Sequence, residues 1–142
     1  MKHPDTALLA EALRGAVGRF VRTVRSESAT TTTAQSEVLA QLQRDGPATV
    51  TALAAQRGVK HQTMRLVVAR LVEQGVVELR PNPDDGRSQL AALTRRGVHH
   101  VKAQQVARAD YLASQLATRL TREERAIMAQ AVNLLDRLGS KD

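Results

Sequence analysis

Near the start of the chain, apolar residues return at steps of three and four. Leu9, Leu13, Val17, Phe20 and Val24 form such a row, which predicts a helix from about Asp5 to Arg25. Asp5, just after Pro4, is a suitable start signal. Ser26 to Thr33 is polar and threonine-rich and reads as a loop. A second helix is expected with Thr32 as N-cap and Gln35 three residues on, a capping box, and with Val38, Leu39 and Leu42 facing inward. Asp45-Gly46-Pro47 stops it. A short third helix follows from Thr49, with Leu53 and several alanines inward, and Gly58 ends it through a left-handed turn. A fourth covers about Lys60 to Gln74, buries Met64, Val67, Val68 and Leu71, and stops at Gly75.

The period then changes. Val76 to Leu79 reads as a strand, Pro81 to Gly86 as a turn-rich loop, and Gln89 to Leu93 as a returning strand. Thr94 caps a fifth helix reaching about Arg119, with Val98, Val101, Leu112, Leu116 and Leu120 as its apolar positions. Gly97 in its first turn reads as a mild local cost. Thr121 to Glu124 is another capping box and opens a sixth helix, with Ile127, Ala131, Leu134, Leu135 and Leu138 on one face.

Four helices, a hairpin and two helices predict a mainly α fold with a small β-hairpin, a winged helix-turn-helix. The expected organisation is a single domain over 1–142, with a DNA-binding core at 32–94. The apolar stripes of the flanking segments, 1–27 and 95–142, need a partner, and a second copy of the chain would supply one as a homodimer.

Composition narrows the function. The chain of 142 residues has no cysteine, which excludes thiol catalysis, thiol redox sensing and cysteine-based zinc sites. No basic-then-apolar leader opens it, and no apolar run approaches the ~18 residues of a membrane span, so a cytoplasmic protein without a membrane partner is expected. Lys and Arg number 21 against 14 Asp and Glu, a formal charge of +7 that favours an acidic partner, nucleic acid first. Phe20 and Tyr111 are the only aromatic residues, which argues against stacking platforms for single strands but not against duplex DNA.

Much of the charge excess is local. From Arg57 to Arg96 stand eight basic residues against four acidic ones. Within that stretch the second helix of the helix-turn-helix would present Lys60, His61, Gln62, Thr63 and Arg65 to a major groove. Arg65 suits guanine O6 and N7, and Gln62 suits adenine N6 and N7. Lys60, His61 and Thr63 suit either bases or phosphates. Each alone would be an ordinary solvated residue, but together they form a run of donors with no acid directly after a glycine turn. Arg87 lies on the hairpin tip, where an arginine can enter a narrow minor groove. Asp85 either orients Arg87 or is simply a turn residue.

These residues carry a resemblance. Asp85-Gly86-Arg87, five residues, Leu93-Thr94 and then Gly97 resemble the wing signature of the multiple-antibiotic-resistance regulator (MarR-type) family. Thr63 to Leu71 followed by Gly75 is similar to that family's recognition helix. Leu53-Ala54 before Gly58-Val59, and Thr32, Gln35 and Leu39, match the helices before it. The resemblance implies a homodimer joined by the first, fifth and sixth helices, with Arg87 in the minor groove braced by Asp85. It also implies a roughly palindromic operator on double-stranded DNA. Many members are repressors released by a small anionic or phenolic effector bound between the dimer and DNA-binding regions. Departures are Lys60, where a capping Ser is common, Leu66, where Arg is frequent, and Thr33 and Ser36, usually apolar or aromatic.

An enzyme is not expected, and no cofactor or metal site is expected either. His99 and His100 are adjacent, not i, i+4, and no phosphate loop or nucleophile motif occurs. The rival reading is a winged helix that binds protein without specific DNA binding.

Overall fold

A computed structural model describes residues 3–28 and 33–141. Its elements run α1 (Thr6–Ser28), α2 (Thr33–Asp45), β1 (Ala48–Thr49), α3 (Val50–Arg57), α4 (His61–Glu73), β2 (Val77–Pro81), β3 (Gln89–Leu93), α5 (Arg95–Arg119) and α6 (Arg122–Gly139). The element order is the winged-helix one, so the mainly α fold with a β-hairpin holds.

Threonines start three of the helices, as their spacing predicts. Thr49 accepts a hydrogen bond from the N–H of Ala52, and Thr94 from that of Gly97. Thr121 and Glu124 form a complete capping box, with Thr121 Oγ1 accepting from the Glu124 N–H and Glu124 Oε2 from the Thr121 N–H. The expected N-cap at Thr32 lies outside the described residues. Gly58, at φ 63°, and Gly75, at φ 75°, make the left-handed turns that close α3 and follow α4.

Two boundaries differ from the reading of the sequence. First, α1 runs to Ser28, three residues beyond Arg25. Ser26 and Ser28 donate their hydroxyl protons back to the carbonyls of Thr23 and Val24, which closes the last turn without a glycine. Second, β1 was not expected. It pairs with β3 antiparallel through Ala48↔Ala91 and Thr49↔Leu90, giving a three-stranded sheet in the order β1-β3-β2.

The core sits where the helix-turn-helix meets this sheet. Val38, Leu39 and Leu42 of α2, Leu53 of α3, Met64, Val68 and Leu71 of α4, Val77 of β2, Ala91 of β3 and Val101 of α5 form one buried cluster. It fixes α4 by one face only and leaves the opposite face to solvent.

The terminal helices are placed differently. Leu112 and Leu116 of α5, and Leu120 just after its end, are half-buried. Of the α1 row only Val24 is buried, and α6 has no buried residue. Leu9, Leu13, Val17, Phe20, Ile127, Leu134, Leu135 and Leu138 are all exposed in the single chain. Rows of this kind mark an interaction surface. No helix among the described residues is long and apolar enough to cross a membrane.

Candidate nucleic-acid interface

The Gly58 turn brings the start of α4 out of the core. Lys60, His61, Gln62, Thr63 and Arg65 are all exposed there, in the first turn and a half of the helix. Lys60 is the N-cap residue but gives no side-chain cap hydrogen bond, as expected where a lysine replaces a capping serine. The first amides of α4 are therefore left to solvent or to a ligand.

The basic group is smaller than its count in the sequence. Arg57 is drawn back under the helix-turn-helix into an ion pair with Glu37, and Arg80 pairs with Glu78 at 2.7 Å. Among the described residues the other six, Lys60, Arg65, Arg70, Arg87, Arg95 and Arg96, are exposed and join no ion pair. Lys60, Arg65 and Arg70 belong to α4 and its N-cap, Arg87 to the wing, and Arg95 and Arg96 to the start of α5.

The wing loop is built from side-chain-to-backbone bonds. Asn82 Oδ1 accepts from the Asp84 N–H at 3.0 Å, and Asn82 Nδ2 donates to Ser88 Oγ at 2.9 Å across the loop. Asp85 Oδ1 accepts from the backbone N–H of Arg87 at 3.0 Å. The contact of Asp85 with Arg87 is thus to its main chain. The carboxylate shapes the loop that carries the guanidinium and leaves that guanidinium exposed.

Comparison with known proteins decides the family. Residues 30–88 match the model of the MarR family. An HTH-type transcriptional regulator of Mycobacterium tuberculosis is 37% identical over 131 residues, covering 91% of this chain and 91% of its own. One from Mycobacterium leprae is 34% identical over the same share of both chains. The chain belongs to the MarR family of transcription regulators. Among solved structures, wild-type MarR from E. coli superposes with a TM-score of 0.71 at 24% identity, covering 98% of this chain and 100% of its own. A transcriptional regulator from Thermotoga maritima gives 0.74 at 20% identity, covering 93% and 99%. Both share the fold, and MarR-family regulators are DNA-binding winged-helix proteins.

Within this MarR-family chain the wing signature separates into two parts. Asp85 and Arg87 belong to the exposed loop. Leu93, Thr94 and Gly97 instead form a joint between the end of α4 and the start of α5. Leu93 packs against the core. Thr94 Oγ1 donates to the Gly75 carbonyl at 2.6 Å while accepting from the Gly97 N–H at 3.0 Å. Gly97 is buried, and a Cβ there would stand 2.0 Å from the carbonyl oxygen of Val76. The mild cost expected of Gly97 is therefore a requirement, because β2 enters across the α5 backbone at that point.

A second feature escaped the sequence. Glu37 of α2 pairs with both Arg25 of α1, at 2.7 Å, and Arg57 of α3. Around this bridge lies an open polar cleft of about 370 Å³, lined also by Gln41, Arg44 and Gln56, with no aromatic wall. Residues from three separate helices meet here, and no local spacing announces the meeting.

Proposed function

We propose that two copies of this chain bind one duplex DNA site, each placing α4 in a major groove and its wing in the flanking minor groove. The observation that carries this reading is the exposed start of α4, with Lys60, His61, Gln62, Thr63 and Arg65 held outward by a core that grips only the other face. Gln62 and Arg65 read base edges, Lys60, His61 and Thr63 contact bases or phosphates, and Arg87 enters the minor groove. Asp85 orients Arg87 through the loop backbone. The core over 32–94 reads DNA, and 1–27 with 95–142 form the homodimer, because α1 and α6 leave their apolar rows uncovered in one chain. A two-fold dimer selects a roughly palindromic operator and acts there as a repressor in the cytoplasm.

Release by a small anionic or phenolic effector is part of the proposal. On α5, His100 and Arg108 carry buried nitrogens without a hydrogen-bond partner among the described residues, and buried Gln104 lies between them at helical spacing. Unpaired buried nitrogens cost ~1–3 kcal/mol each, which a polar ligand would recover.

The test is fluorescence anisotropy with the full-length protein and duplexes from upstream of its own gene, across a salt series. Saturable binding, weakened in Arg65→Ala and Arg87→Ala, is expected. No binding even at low salt contradicts the proposal.

A further inference from the structure

Leu66 is 61% exposed on α4, where Met64, Val68 and Leu71 are buried, Val67 is half-buried and Val72, near the far end, is 37% exposed. At about 100° per residue it stands about 200° from both Met64 and Val68, so its side chain points straight away from the core. Gln62 lies one turn before it and Arg70 one turn after it, and the exposed Ala69 stands beside it. Arg65 and Thr63 lie towards the two edges of the same face. The centre of the outward face is thus apolar, within a surface otherwise made of hydrogen-bond donors. From His61 to Val72 the helix carries no acid.

The chemistry of this arrangement selects its counterpart. A duplex major groove offers donors and acceptors to Gln62 and Arg65, and one apolar group, the C5 methyl of thymine. We propose that Leu66, with Ala69 beside it, reads a thymine through that methyl group and is a specificity-determining residue of this chain. This rests on the placement of α4 in the major groove proposed above. It makes the centre of each half-site a T·A pair recognised by shape and apolar contact rather than by a hydrogen bond.

The test uses the full-length protein and the duplex it enriches from a random pool. Each thymine is replaced in turn by deoxyuridine, which removes the methyl and keeps the Watson–Crick edge. One thymine per half-site is expected to lose about fourfold in affinity, the effect of one buried methyl. Leu66→Ala, an exposed substitution whose folding is checked by circular dichroism, should bind the thymine duplex correspondingly more weakly. It should show no further loss with deoxyuridine. An equal deoxyuridine effect in wild type and Leu66→Ala, or no thymine whose methyl matters, overturns the assignment of Leu66 while leaving DNA binding intact. A wild-type protein that enriches no duplex overturns the major-groove reading itself, and this inference with it.

Discussion

A Cβ on Gly97 would stand 2.0 Å from the carbonyl oxygen of Val76, closer than any real contact. The obstacle is backbone, and that backbone is itself held, since the Val76 carbonyl accepts from the Thr94 N–H at 3.1 Å. Gly97→Ala should therefore destabilise the fold by about 2–3 kcal/mol despite the better helix propensity of alanine. Urea denaturation would register it as a lower midpoint. An unchanged midpoint would mean that α5 can back away from β2 freely.

The wing makes a finer prediction about Asp85. Its bond to the Arg87 N–H is one that an asparagine side chain can also make. Asp85→Asn should keep DNA affinity near wild type, whereas Asp85→Ala should lose several-fold, about 1 kcal/mol for the lost hydrogen bond. Equal losses in both variants would point instead to the carboxylate charge acting on the guanidinium.

Glu37 ties three helices together. Its side chain and that of Arg57 are each 24% exposed, and that of Arg25 is 33% exposed, so the bridge lies between a surface pair and a buried one. Glu37→Gln should cost about 1–2 kcal/mol and leave two arginines facing each other across the cleft. Thermal unfolding at low and high salt would test this. The loss should shrink as salt screens the two arginines.

What could be read in the sequence was what local chemistry decides. Thr49, Thr94 and Thr121 cap their helices because a β-region threonine oxygen reaches an amide two or three residues on, whatever surrounds it. Met64, Val68 and Leu71 declare the buried face of α4 by spacing alone, and with it the exposed candidates from Lys60 to Arg65. The remainder depends on contacts distant along the chain. β1 is two residues long and exists because β3 returns beside it, so it has no period of its own to detect. The requirement at Gly97 is set by Val76, and the neutralisation of Arg57 by Glu37. Leu66 was visible as an oddity, and its central place on the outward face became clear only against the positions of its buried neighbours.

Lys60 offers a gain rather than a loss. As an N-cap without a side-chain hydrogen bond, it leaves the first turn of α4 less stable than a serine would. Lys60→Ser should raise unfolding free energy by about 0.5–1 kcal/mol, measurable by chemical denaturation. If Lys60 also holds a phosphate, the same variant should bind DNA more weakly and with a salt slope shallower by about 1.

In the proposed complex a symmetric pair of α4 helices reads duplex DNA with Arg87 at the flanks. Selection of duplexes from a random pool by the full-length protein tests it most directly. An inverted repeat is expected whose half-site centres lie about 10 bp apart, with A·T-rich flanks that lose their enrichment when Arg87→Ala is used. Enrichment of no sequence, or of a single unrepeated site indifferent to Arg87, would contradict it.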